Sequence, residues 1–112
     1  MELRVFWTDT ALNQLKDIFY YYKVKASQKV AKDIVNKLVN RTIQLEKNPR
    51  SGQKEPLLAD RNFEYRYLVE GNYKIIYWIE DNYVKIATVF DSRHNPKKMN
   101  LPAAEQRGIF KT

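Results

Sequence analysis

Arg66, Arg93 and His94 are the residues whose types and placement first suggest chemistry. Arg66 sits between Tyr65 and Tyr67, and the Arg93-His94 pair follows the apolar run VKIATVFDS. A guanidinium is a planar fork that matches the oxygens of a phosphate. An imidazole with a pKa of about 6.5 takes up or releases a proton near neutrality. If the two ends of this stretch face one surface, the three side chains hold a single anion, and Lys54 and Arg61 from the preceding loop close around it. Such a set suits clamping an RNA phosphate while a 2′-hydroxyl attacks it. Glu55, beside Lys54, is the better placed of three general-base candidates, the others being Glu46 and Glu64. The plainer reading is that Arg66 pairs with a cross-strand acid such as Glu64 or Glu80, and that Arg93 and His94 solvate a strand end. The sequence leaves both readings open.

Other chemistries find no support. There is no cysteine, which removes thiolate nucleophiles and disulfides and suits a reducing cytosol. One histidine among scattered acids makes no metal-ligand cluster and no serine-based triad. Three separated glycines form no phosphate loop, so neither a metal nor a cofactor is expected.

The elements that must position the basic residues follow from periodicity. Phe63, Tyr65, Tyr67 and Val69 fall at every second place, as do Tyr73, Ile75, Tyr77 and Ile79, then Val84, Ile86, Thr88 and Phe90. Period two marks strands, and Glu70-Gly71-Asn72 and Asp81-Asn82 supply tight turns, so this stretch predicts a three-stranded antiparallel meander. Its middle strand also carries Ile76 and Trp78 on the other face and needs cover on both sides. Upstream, Leu3, Val5 and Trp7 predict a short first strand. Leu12, Leu15, Ile18, Phe19 and Tyr22 then mark the face of a helix that starts near Thr8. A break over Lys23 to Ser27 leads to a second helix with Val30, Ile34, Leu38 and Leu45 inward and Lys29, Lys32, Lys37 and Arg41 outward. Asn48-Pro49 ends it.

The expected fold is α+β in the order β-α-α-β-β-β. A helical hairpin packs on one face of a twisted antiparallel sheet of about four strands, and the opposite face is open and concave. The 112 residues suffice for one domain, placed at residues 1–96, with a basic, loosely docked tail at 97–112. Twenty Lys and Arg against thirteen acids give a net charge of +7, which favours an anionic partner. No apolar run approaches the roughly 20 residues of a membrane span, and MELRVFWTD lacks the pattern of a secretory leader. A cytoplasmic location is the expectation.

Two segments, RYLVEGNYKIIYWIE at Arg66 to Glu80 and VKIATVFDSRHNP at Val84 to Pro96, resemble the RelE/ParE superfamily of type II toxin–antitoxin toxins, also called plasmid-stabilisation proteins. The opening VFWTDTALNQL and the segment NPRSG at Asn48 to Gly52 support the resemblance, which spans most of the first 96 residues. It implies a small basic toxin held silent by a co-expressed, acidic and partly disordered antitoxin. RelE-like members cleave mRNA in the ribosomal A site, and Arg66, Arg93 and His94 match the arginine and histidine positions of that pattern. Those nucleases often carry a tyrosine near the C-terminus, whereas no tyrosine follows Tyr83 here, and the loop lacks a dense lysine cluster. Both departures favour the ParE-like branch, which acts on DNA gyrase. Ribosome-dependent mRNA cleavage is the first alternative, and a non-toxic nucleic-acid-binding module of the same fold is the second.

Overall fold

Thr8 ties the first strand to the first helix and to the centre of the sheet. Its hydroxyl accepts the N–H of Ala11 at 3.1 Å, which caps the helix, and donates to the Ile86 carbonyl at 2.8 Å. The structure, a computed structural model, describes residues 2–59 and 61–93. Strand β1 (Arg4–Trp7) leads into helix α1 (Asp9–Lys25), and α2 (Gln28–Ile43) follows. Ser27 caps α2 by accepting the Val30 N–H at 3.1 Å, as a serine in extended conformation does. A 3₁₀ turn at Gln44–Glu46 ends the hairpin. The remaining elements are β2 (Gln53–Lys54), a 3₁₀ turn at Pro56–Leu58, β3 (Arg66–Glu70), β4 (Tyr73–Glu80) and β5 (Tyr83–Asp91).

The α+β class and the helical hairpin agree with expectation, while the sheet differs in two details. It has five strands in the order β1-β5-β4-β3-β2, and β1 runs parallel to β5 while the other pairs are antiparallel. The fifth strand is the two-residue β2, too short to register as a periodicity. The parallel pairing arises because the two helices intervene before the chain re-enters the sheet, and a parallel pair needs such a crossover. Asp81 and Asn82 both take positive φ, 54° and 64°, as the tightest hairpin turns require.

β4 is buried on both faces, and each face has its own core. On the helix side, Ile75 and Tyr77 pack with Ala11, Ile18, Leu38, Leu45, Leu68, Val84, Ile86 and Val89. On the other side, Ile76 and Trp78 pack with Leu58, Tyr65 and Ala87, joined by Phe63, Tyr67 and Phe90. The expectation of an open, concave second face is therefore corrected. Ile76 is 0% exposed and Trp78 1% exposed, with the Phe63 and Tyr65 rings 5.6 Å and 5.7 Å from the Trp78 ring. Leu58, Phe63 and Tyr65, from the loop before β3, cover a face too apolar to leave in water.

A bulge between Ile76 and Tyr77 changes which β5 residues face the helices. Ile76 pairs with Thr88 and Tyr77 with Ile86, which leaves Ala87 as an extra residue. Inward residues run Val84, Ile86, then Val89, while Ala87 and Phe90 join the second core. Strict alternation places Phe90 with Ile86; one inserted residue flips the parity beyond it. His94 and the tail at 97–112 lie outside the described residues.

Truncating a fully buried hairpin residue tests the helix-side core. Leu38→Ala is expected to destabilise by about 2–5 kcal/mol in urea unfolding. Val24→Ala, at a residue 81% exposed, is expected to change stability by less than about 0.5 kcal/mol.

Candidate functional site

Pro49 and Gly52 bracket a tight loop between α2 and β2, and two side chains of the sheet clamp it. The Tyr77 hydroxyl donates to the Pro49 carbonyl at 2.8 Å and accepts the Gly52 N–H at 3.0 Å. Burial, only partly offset by the Gly52 hydrogen bond and nearby arginines, raises the Tyr77 pKa, so the phenol keeps its proton and donates. The Arg66 Nη1 donates to the carbonyls of Arg50 at 3.2 Å and Gly52 at 2.8 Å. Its Nε and Nη2 both bind Glu64 Oε2, at 3.0 Å and 2.9 Å. Only glycine fits at residue 52, because a Cβ there lies 2.5 Å from the Tyr77 hydroxyl and 2.7 Å from the Tyr67 carbonyl.

Nearly all of the Arg66 donor capacity is thus spent within the chain, and its side chain is 15% exposed. An external phosphate reaches its fork only by displacing Glu64. Lys54, 70% exposed, pairs with the other Glu64 oxygen at 3.5 Å. Burial acts to raise the Glu64 pKa, but the charges and hydrogen bonds of Arg66 and Lys54 outweigh it, and the carboxyl lies below its ordinary value. Arg61 is exposed and lines a cavity of about 460 Å³ together with Lys54, Glu55, Phe63 and Glu64. An adjoining cavity of about 350 Å³ is lined by Arg50, Glu64, Arg66, Tyr77, Trp78 and Ile79.

Glu55 is held by structural partners. Its side chain is 1% exposed, Oε1 pairs with the Lys74 ammonium, and Oε2 accepts the Leu57 N–H at 3.1 Å. The Lys74 ammonium in turn lies 4.2 Å from the centre of the Tyr67 ring. Here Glu55 caps the Pro56–Leu58 turn and joins the covering loop to β4.

Arg93 stands apart from this group. Its guanidinium makes a bidentate pair with Asp91, with Nε to Oδ1 at 2.9 Å and Nη2 to Oδ2 at 2.5 Å, and that partner raises its pKa. It lines a separate cavity of about 460 Å³ beside α1, with Gln14, Ile18, Tyr22 and Tyr73. In that cavity Tyr73 donates to Tyr22 at 3.4 Å, and burial followed by this contact raises the Tyr73 pKa. Register separates the two arginines. Arg66 pairs with Tyr77, whereas Asp91 pairs with Tyr73, four residues earlier in β4. At about 3.3 Å per residue that is roughly 13 Å, with Arg93 beyond it. Lys54, Arg61 and Arg66 are brought together around Glu64, and Arg93 is not among them.

Arg50, Gly52 and Tyr77 escaped the sequence reading as site residues. Period two assigned Tyr77 to the core, which accounts for its ring but not for its hydroxyl. The usable signal was the Pro49-to-Gly52 spacing, which marks a turn but does not say which sheet residues hold it. Among the described residues, no three or more His, Asp or Glu side chains gather as a metal site. Among the same described residues, no helix is long and apolar enough to cross a membrane.

Residues 5–96 match the family model described as the ParE toxin of the type II toxin–antitoxin system, parDE. The chain is also similar to a solved structure described as the chromosomal ParDE TA system from P. aeruginosa, at 17% sequence identity and a TM-score of 0.67. That likeness covers 80% of this chain and 96% of the other, and at such identity it speaks for the fold. No curated protein matches the chain.

The Glu64 pairing has a pH signature of definite sign. A carboxyl whose folded pKa lies below its ordinary 4.5 contributes stability above that value and loses it as pH falls through the folded pKa. Urea titrations of the parent and Glu64→Gln from neutral pH into the acid range measure this. The parent is expected to lose more stability than the variant below pH 4.5. Parallel curves would remove Glu64 as the coupled group.

Proposed function

The chain belongs to the ParE toxin family of type II toxin–antitoxin systems, and from that premise we propose that its target is DNA gyrase. It acts in the cytoplasm, by binding and not by cutting RNA. The observation that carries this reading is the family match over residues 5–96. The geometry supports it over ribosome-dependent mRNA cleavage, because a nuclease needs convergent groups around one scissile phosphate. Here Arg66 is engaged by Glu64 and two loop carbonyls, Glu55 is buried in an ion pair, and Arg93 lies at the other end of the strands.

In the proposed mechanism the cations work as contacts. Lys54 and Arg61, exposed at the β2 edge, meet an anionic surface of the gyrase–DNA complex, with Arg66 behind them. Arg93, fixed by Asp91, forms a second contact beside α1. The family implies a cognate antitoxin, and an acidic, partly apolar segment complements the net charge of +7.

Adding the purified protein to gyrase and relaxed plasmid tests the target. Supercoiling is expected to stop and cleaved DNA–gyrase complexes to accumulate, with cognate antitoxin reversing both. Unimpaired supercoiling, together with mRNA cut at ribosomal A sites after induction, would move the chain to the nuclease reading. Unaffected growth and unaffected gyrase would make it a non-toxic module.

A further inference from the structure

We propose that Arg50 is the leading contact of a phosphodiester-binding rim along the β2 edge, and that Tyr77 and Arg66 are positioning residues that fix the loop presenting it. This goes beyond the gyrase reading and does not depend on it, because binding to bare nucleic acid is read without gyrase.

The loop is anchored more firmly than a simple connection needs. Tyr77 bonds Pro49 and Gly52, and Arg66 bonds the carbonyls of Arg50 and Gly52, so four hydrogen bonds from two sheet residues fix the backbone on both sides of Arg50. Gly52 allows the chain to lie directly against the Tyr77 hydroxyl. Local turn bonds complete the anchoring, from Ser51 N–H to Asn48 O at 3.1 Å and from Asn48 N–H to Gln44 O at 3.1 Å. What this frame holds outward is the Arg50 side chain, exposed at the mouth of the smaller cavity. Its neighbour Arg66 has its charge met by Glu64, whereas among the described residues no carboxylate pairs with Arg50. A guanidinium held on a rigid loop without a counter-charge is preorganised for an external anion.

The surroundings favour a repeating anion over a single one. The two adjoining cavities share Glu64, and their described lining includes Arg50, Lys54, Arg61 and Arg66 against Glu55 and Glu64. Glu55 is buried and already neutralised by Lys74, so the rim is strongly positive. Cations spread along an edge, not gathered at one focus, match the successive phosphates of a nucleic-acid strand.

The test is fluorescence anisotropy of the full chain with a labelled random-sequence DNA duplex and a single-stranded RNA, over a series of salt concentrations. Arg50→Ala is expected to weaken binding roughly tenfold at low salt and to lower the salt slope by about one. Tyr77→Phe is expected to weaken binding roughly fivefold when Arg50 is present, and not at all in the Arg50→Ala background. That non-additivity separates positioning from a general structural effect. Should Tyr77→Phe fail to fold, Arg50→Lys carries the test, keeping the parent salt slope while losing affinity with the fork. Unchanged affinity in Arg50→Ala, or an equal cost of Tyr77→Phe in both backgrounds, overturns the proposal. A loss confined to antitoxin capture overturns it as well and assigns the rim to a protein partner.

Discussion

A strand that is apolar on both faces cannot sit at the surface of a sheet, and β4 is such a strand. Ile75 and Tyr77 face one way, Ile76 and Trp78 the other, and all four are 1% exposed or less. Burying one large apolar side chain contributes about 1.5–3 kcal/mol, so each face of β4 justifies its own cover. The helical hairpin covers one, and Leu58, Phe63 and Tyr65 from the loop before β3 cover the other. Much of the rest follows from this double demand. The hairpin occupies one broad face of the sheet and the covering loop spans much of the second, so the exposed cations of the 50–66 region collect at the β2 edge.

The same constraint explains the division of labour among the arginines. The covering segment must leave α2, turn sharply and reach the far side within a few residues, which fixes the path of residues 48–52. Tyr77 and Arg66 point at that turn and satisfy its backbone groups, which would otherwise be desolvated without partners. Arg66 is thereby held in the structure and its charge met by Glu64, whereas Arg50 and Arg61 are displayed. A residue that looks like an anion clamp in sequence is here the fastener of a loop, and the residue on the loop takes the outward place.

The sequence disclosed the fold better than the site, for a physical reason. Side-chain periodicity reports which face is buried, and it correctly located the hairpin, the meander and the double-sided character of β4. It is blind to an inserted residue: the Ala87 bulge moved Phe90 to the opposite core. A two-residue pairing such as Gln53–Lys54 is likewise too short to leave a period. The site depended on which ends of the strands come together, and that is decided by register. Pairing Arg66 with Tyr77 and Asp91 with Tyr73 sends the two arginines apart, an outcome that residue types do not encode. The roles of Glu55 and Tyr77 rested on single atoms, one carboxylate oxygen toward Lys74 and one hydroxyl toward Pro49 and Gly52.

The burial of Trp78 is the most direct measure of whether the second face is covered. With Trp7 replaced by Phe, Trp78 is the one indole left in the chain. Its fluorescence should then be blue-shifted and poorly quenched by acrylamide, becoming accessible only on global unfolding. Red-shifted emission quenched freely in the native state would mean that this face is open, and the arrangement of loop, clamp and edge built on its closure would fail.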